Sequence, residues 1–148
     1  MSLEFVFCTR FYEISAVDIT LHILRKECMI MILVGIDIGK NQHTFSIIDK
    51  NTGEILSNPS FFPNNREGFL FLIKKLNTYS KSDLLIGMED TGHYHFALLK
   101  HLLDSRYTVA LINPTTTDLT RKLQGGITKN DPLDSLTICD VIGSNQHN

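Results

Sequence analysis

The sequence predicts an α/β fold, a mixed β-sheet flanked by helices, with the element order βββαβαβαα. Two apolar runs, at 32–36 and 84–88, have the length and the branched side chains of buried strands. Residues 65–76 instead place apolar side chains at helical spacing, and prolines at 114 and 132 suit the first position of two later helices. A chain of 148 residues that is 43% hydrophobic is large enough to bury such a core.

The first three strands are predicted to form a meander. Ile32–Asp37 leads through a turn at 39–42 into Thr44–Asp49, and a second turn at 51–53 leads into a strand from Glu54 to Phe62. Helical and strand patterns alternate from there on. They predict a helix at 65–76 capped by Asn64 or Asn65, a strand at 84–88, a helix at 93–103, a strand at 108–112, and helices at 114–123 and 132–142.

Apolar side chains of these elements are expected in the core. They are Phe61, Phe62, Phe69, Leu70, Phe71, Leu72, Ile73 and Leu76, followed in the second helix by Phe96, Leu99, Leu102 and Leu103. The order of strands and helices is that of the RNase H-like nucleases.

The first 30 residues fit this layout least well. They mix aromatic, branched and charged residues without a period of 2 or 3.6, and Met29 and Met31 are alternative starts. We therefore expect an N-terminal extension at 1–30, one domain at 31–142 and a polar tail at 143–148.

Composition gives few clues to a partner. The formal net charge is −2, whereas nucleic-acid-binding domains are usually basic, although the charge would be +2 without the four acidic residues discussed next. Three cysteines without paired spacing indicate free thiols in a reducing compartment. With neither a signal peptide nor an apolar run long enough for a membrane span, a cytoplasmic protein without membrane contact is expected.

Four acidic residues, Asp37, Glu89, Asp131 and Asp134, stand where a metal-dependent nuclease needs carboxylates. Asp37 and Glu89 each close a buried strand, and a spacing of three puts Asp131 and Asp134 on one helix face. Carboxylates that converge raise one another's pKa unless cations neutralise them. One or two Mg²⁺ ions would do so, and two ions can clamp the attacking and leaving oxygens of a phosphodiester.

Each acid also has a purely structural interpretation. Asp37 could end a strand at a turn, Glu89 could complement the dipole of the helix that follows, and Asp131 could cap a helix with Asp134 three residues later. Only the combination of the four favours a metal site.

The spacing of four motifs resembles the transposases of the insertion sequence 110 family. The motifs are 34–40 around Asp37, 89–95 from Glu89, 112–114, and 129–135 with the last two acids. The resemblance covers about residues 31–141. The family usually has alanine, threonine and alanine where this chain has Asp90, Asn130 and Ser135, which places an additional negative charge beside Glu89.

The resemblance implies a RuvC-like domain with a D-E-D-D tetrad that cleaves and exchanges DNA strands, directed by a structured bridge RNA and working as a homo-oligomer. Family members continue into a second domain that carries a nucleophilic serine. Ser144 has no motif around it to suggest that role. A truncated or degenerate transposase, unable to complete strand exchange alone, is therefore expected.

Basic residues near the acids are candidates for contacts with nucleic acid: Lys40, Arg121, Lys122 and Lys129. Each could equally be a solvated surface charge. His93, Tyr94 and His95 could stack on a base, but half-buried packing is expected for Tyr94, and a metal-ligand role for His95 is disfavoured.

Other functions remain open at this point. A nucleic-acid-binding remnant would keep the fold without cutting, and a stand-alone RuvC-like junction nuclease would cut by itself. The run Gly35-Ile36-Asp37-Ile38-Gly39 also resembles the first phosphate loop of actin-like sugar kinases, but no second phosphate loop or adenosine motif follows.

Deleting residues 1–30 should leave the fold of 31–142 intact, because the segment shows no period that would bury it. Thermal melts of the full chain and of a version that begins at Met31 would test this. A large drop in melting temperature on deletion would contradict the prediction.

Overall fold

The computed structural model describes residues 6–7, 30–90, 92–112 and 131–144, with side chains from 134 to 143 in the last segment. The strands are β1 (Val6–Phe7), β2 (Ile32–Asp37), β3 (Gln42–Asp49), β4 (Ile55–Pro63), β5 (Leu84–Glu89) and β6 (Val109–Ile112). The helices are α1 (Arg66–Leu76), α2 (Phe96–Asp104) and α3 (Asp131–Ser144), and a 3-10 turn covers Lys81–Asp83. No helix in these segments is long and apolar enough to cross a bilayer.

The strands form one mixed sheet in the order β1-β6-β5-β2-β3-β4. The meander β2-β3-β4 is antiparallel, while β5 and β6 lie parallel to β2 on its other side. The connections from β4 to β5 and from β5 to β6 each carry a helix, as parallel strands require. The mixed sheet flanked by helices that the sequence predicted is confirmed, and the predicted helix at 114–123 lies outside the described residues.

Two apolar layers cover the sheet. On one face, α1 and α2 contribute Phe69, Leu72, Leu76, Leu98 and Leu102 to a core with alternate residues of β2, β3 and β5. On the other face, α3 packs Ile138, Cys139, Val141 and Ile142 against Leu33, Ile48 and Leu85. Because neighbouring residues of a strand point to opposite faces, nearly every residue of β2 and β5 is buried.

Four side chains expected in the core are exposed instead. Phe61 is 51% exposed and Phe71 is 42% exposed, and Leu70 and Phe96 also face outwards. On β4 a single step along the strand reverses the face, so Phe62 is buried and its neighbour is not. On α1 and α2 the buried stripe is narrower than the apolar one, and Leu98 is buried in α2 where Phe96 was expected.

Part of the predicted N-terminal extension joins the sheet. Val6–Phe7 pair with Leu111 and Ala110 in antiparallel register, at the edge beside β6. The division into an extension at 1–30 that packs poorly or lies outside the domain, and a domain at 31–142, stays a prediction. Residues 1–5 and 8–29 lie outside the described residues, and the effect of deletion stays a prediction.

Helix α3 lies directly on the backbone of the central strand. A Cβ built on Gly35 of β2 would overlap the carbonyl oxygen of Ser135 and lie 2.9 Å from the backbone nitrogen of Cys139. A Cβ on Gly87 of β5 would lie 2.7 Å from Cγ2 of Ile142. Both glycines thus permit a close approach that a side chain would prevent.

Gly35→Ala should destabilise the fold by about 1–3 kcal/mol or more, because the overlap is with backbone atoms that cannot rotate away. Urea unfolding would measure the loss. Gly143→Ala is the matched control, since its Cβ would meet only the flexible Cδ1 of Leu33, at 2.9 Å, and alanine favours the helix. Equal losses in the two variants would contradict the explanation.

Candidate active site

Two of the four predicted acids lie side by side at one edge of the sheet. Strands β2 and β5 are parallel and in register from Ile32 opposite Leu84 to Ile36 opposite Met88. Asp37 and Glu89 are the next and last residues of these strands. Each is only 5% exposed, so the two carboxylates lie at a nearly closed edge rather than in open solvent.

The two acids also share one face of the sheet. Leu33 and Leu85 belong to the core under α3, and Gly35 and Gly87 are in close contact with that helix. Asp37 and Glu89 follow two residues after these glycines, so strand alternation turns both toward the α3 face. If Glu89 pointed to the opposite face of the sheet from Asp37, the two carboxylates could not share a metal. Both point to the same face.

The third acid, Asp134, is on α3 and has no exposed surface. Gly143, near the end of α3, packs close to Leu33 near the start of β2, whereas Ser135 packs on Gly35 further along the strand. The helix therefore runs antiparallel to β2, and its N-terminal end points toward the edge that holds Asp37 and Glu89. The fourth acid, Asp131, is the first residue of this helix, and its side chain lies outside the described residues.

The donor chemistry at this edge fits a hard divalent cation, because three nearly buried carboxylates offer only oxygen ligands. Among the described side chains, however, no group of three or more His, Cys, Asp or Glu residues is arranged to hold a metal ion. The complete tetrad as a metal site therefore stays a prediction, with Asp131 its undescribed member.

Hydroxyl groups from β3 line the same face. Thr44 is the register partner of Asp37 and Ser46 that of Gly35, and both are buried. The hydroxyls of Ser46 and Ser135 are 2.6 Å apart, a buried hydrogen bond that joins the sheet to α3 one residue after Asp134. This bond fixes the position of the helix along the strand, which the apolar contacts alone would leave less defined.

The turn that follows Asp37 is held from two sides. The Gly39 amide donates a hydrogen bond to Nδ1 of His43 (3.1 Å), and the side-chain amide of Asn64 donates to the Lys40 carbonyl (3.0 Å). The Asn64 backbone amide also donates to the carbonyl of Asn41 (2.8 Å). The sequence pattern predicted no role for His43, and for Asn64 only that of a helix cap. Asn65 is the cap in the structure, where it accepts from the Gly68 amide.

A second buried histidine lies beside the segment that follows Glu89. His95 is 1% exposed, and its Nε2 is 3.3 Å from Oδ1 of Asp90. The Asp90 backbone amide donates to the carbonyl of Ile112, which ties the end of β5 to the end of β6. Asp90, the additional acid beside Glu89, thus has His95 as its partner.

The predicted nucleic-acid contacts are only partly described. Lys40 is exposed three residues after Asp37, at the edge of the candidate site. Arg121, Lys122 and Lys129 lie outside the described residues. Tyr94 is partly buried against the core, as predicted.

The described cysteine does not take part in the site. Cys139 is a free thiol, and burial raises its pKa to about 12. It is therefore a protonated packing residue rather than a nucleophile or a metal ligand. The prediction of free thiols is confirmed for Cys139, while Cys8 and Cys28 lie outside the described residues.

Comparison with known proteins identifies sequence relatives and structural neighbours. The sequence profile of the DEDD transposases of the insertion sequence 110 family, described as "Transposase", matches residues 34–148. Two curated relatives, the pilin gene-inverting proteins of Moraxella lacunata and Moraxella bovis, are each 30% identical over 107 residues, or 71% of this chain. The chain spans about a third of their length, 32% in both.

Two solved structures of Thermus thermophilus RuvC are similar in fold. RuvC in complex with a Holliday junction substrate matches with a TM-score of 0.58, and a second RuvC structure with 0.55. Both are 12% identical, and each match covers 79% of this chain and 96% of the other. The predicted RNase H-like, RuvC-like fold is confirmed.

The buried His43 should make stability depend on pH. Burial lowers its pKa below the ordinary 6.5, and the Asn64 side chain acts in the opposite direction. Below pH 6.5 the unfolded chain therefore binds a proton that the folded chain does not, so this contribution to stability is complete above 6.5 and is lost as the pH falls.

Melting temperatures near pH 7.5 and near pH 5.5 would measure this effect. We expect a smaller drop in His43→Phe than in the unmodified chain. His101→Phe, at a partly buried histidine of α2, should keep the full drop. An equal drop in all three proteins would contradict the assignment to His43.

Proposed function

Because this chain belongs to the DEDD transposase family of insertion sequence 110, we propose that its RuvC-like domain binds DNA and takes part in cleavage and exchange of DNA strands during transposition. The observation that carries the proposal is the acid edge: Asp37 and Glu89 end adjacent, in-register strands on the face covered by α3, which carries Asp134.

We propose that Asp37, Glu89, Asp131 and Asp134 hold one or two Mg²⁺ ions. When bound, such ions would neutralise the charge that builds up on a phosphodiester during displacement. The three described carboxylates fit by their oxygen donors and their burial, which keeps water from competing for them. Their positions are set by strands and a helix rather than by loops, which is how a site keeps its geometry.

The chain's own residues would orient the DNA backbone at this edge. Lys40, exposed beside Asp37, is suited to a phosphate contact, and Arg121, Lys122 and Lys129 precede the last two acids in the sequence. Such contacts fix the register of the backbone without reading its sequence. Selection of the DNA site therefore has to come from elsewhere, and we propose the structured bridge RNA that the family resemblance implies.

Two further features are proposed for the transposase as a whole. We propose a homo-oligomer, since exchange of strands needs more than one cleavage site, and a cytoplasmic location, where the DNA of an insertion sequence is accessible. The relatives that invert pilin genes are about three times as long as the matched region, so these features concern the whole protein rather than this domain alone.

A second candidate function is nucleic-acid binding without cutting. It is favoured by the fact that the described side chains do not include a group of three ready to hold a metal. Fluorescence anisotropy with duplex and branched DNA, followed by gel analysis of the same samples with Mg²⁺, distinguishes this candidate from a nuclease that cuts by itself. Binding without cleavage supports the second candidate, whereas cleavage by the chain alone supports a stand-alone junction nuclease.

Asp37→Asn should weaken Mg²⁺ binding while preserving the fold, because the amide has the same shape but lacks the charge that offsets the cation. We expect a loss of at least about 10-fold, the lower end of what mutation of outer-shell partners causes. Titration calorimetry measures the affinity, and circular dichroism monitors the fold.

Asp104→Asn is the charge-matched control, since Asp104 is an exposed residue of α2 that pairs with Lys100. The substitution removes one negative charge, as Asp37→Asn does, at a residue that does not belong to the proposed tetrad. The variant should bind Mg²⁺ like the unmodified chain. Equal affinity in Asp37→Asn and Asp104→Asn would remove the basis of the metal site.

A further inference from the structure

We propose that His43 is a positioning residue for Asp37: its imidazole anchors the turn at residues 38–41 and so fixes the direction of the carboxylate. The inference rests on the proposed function, because it assigns the consequence of that anchoring to metal binding. His43 itself lies on the opposite face of the sheet from Asp37, against Phe62 and Phe69, so its proposed role is to position Asp37 through the turn.

The anchoring acts on the backbone amide of Gly39, in the turn that follows β2. Asp37 is the last residue of β2, and Gly39 follows two residues later. Its amide donates to Nδ1 of His43 over 3.1 Å. A Cβ on Gly39 would overlap the carbonyl oxygen of Gln42, so the turn is too tight for another residue type.

The rest of the turn is held by Asn64. Its side chain and its backbone amide donate to the carbonyls of Lys40 and Asn41, respectively. Three consecutive residues of the turn thus each have one backbone group bonded to His43 or Asn64. Of these three residues, Gly39, which His43 holds, is the one nearest to Asp37 in the chain.

His43 is rigid enough to act as an anchor. It is 1% exposed, and its ring lies edge-on to Phe62 (centroids 5.2 Å apart) and stacked on Phe69 (6.5 Å). Its position is therefore set by Phe62 of β4 and Phe69 of α1, in the apolar layer on the face of the sheet away from α3. The imidazole connects that layer to the turn beside the acid edge.

The imidazole is a costly choice if packing were its only role. Since Nδ1 accepts the Gly39 bond, the neutral ring carries its proton on Nε2, which is buried, and the Asn64 side chain also interacts with the ring. A buried polar atom of this kind lowers stability, and phenylalanine would fill the same space without it. What phenylalanine cannot supply is the acceptor for Gly39.

Two substitutions separate packing from anchoring. His43→Phe keeps a ring of similar size but removes the acceptor. His43→Asn places Oδ1 where Nδ1 was and so restores the acceptor, but it leaves a gap between Phe62 and Phe69. We expect His43→Phe to match or exceed the unmodified chain in melting temperature and His43→Asn to melt lower. His101→Phe serves as control, because His101 also contacts Phe69 and makes no bond to the turn.

Two readouts on the full chain test the inference: hydrogen exchange of the Gly39 amide by NMR, and Mn²⁺ affinity by calorimetry, with Asp37→Asn titrated alongside. We expect faster exchange and an approximately 10-fold weaker Mn²⁺ affinity in His43→Phe, and values close to those of the unmodified chain in His43→Asn and His101→Phe. Mn²⁺ affinity would then be retained only where the chain keeps the acceptor for Gly39, and His43→Phe would bind more weakly than His43→Asn despite its higher melting temperature. A purely structural role of His43 cannot produce this result.

The contrary outcomes are distinct. Weak binding in Asp37→Asn together with unchanged affinity in His43→Phe would overturn the role of His43 and leave the metal site standing. Affinity that follows melting temperature across the variants would also overturn it, in favour of packing. Unchanged affinity in Asp37→Asn would overturn the metal site itself, and the inference with it.

Discussion

The structure depends on the direct contact between α3 and the backbone of the two central strands. Gly35 and Gly87 stand next to each other in parallel register, and their missing side chains leave a shallow channel into which α3 fits. The hydrogen bond between Ser46 and Ser135 sets how far along the channel the helix lies. With a side chain at Gly35 the helix would have to move outwards, and the distance of Asp134 from the sheet would change with it.

That contact explains how acids distant in the sequence come to one edge. Both central strands end in an acid two residues after the glycine, and α3 runs antiparallel to them, so its first turn lies toward those ends. Burying three carboxylates is unfavourable in an apolar core, where they would be neutralised or paired. Their low exposure is compatible with the cation that we propose at this edge.

Around the edge, the turns after the two central strands are each associated with a buried histidine. His43 accepts a bond from Gly39 after Asp37, and His95 lies against Asp90 after Glu89. Both rings leave one nitrogen without a hydrogen bond among the described residues, at Nε2 of His43 and Nδ1 of His95.

The sequence by itself determined strands β2 to β6, helices α1 to α3 and the acids that end β2 and β5, because apolar runs and helical periods are local signals that burial preserves. The pattern Gly-x-acid at 35–37 and 87–89 stands in the sequence, but the packing of α3 on its two glycines was not predicted from it. Only the tertiary structure decided that β2 and β5 are neighbours in register, that Phe61, Phe71 and Phe96 point outwards, and that His43 bonds to Gly39. These depend on which face each element turns to its neighbours, and a one-residue step or a 100° turn of a helix changes that face without altering the local pattern.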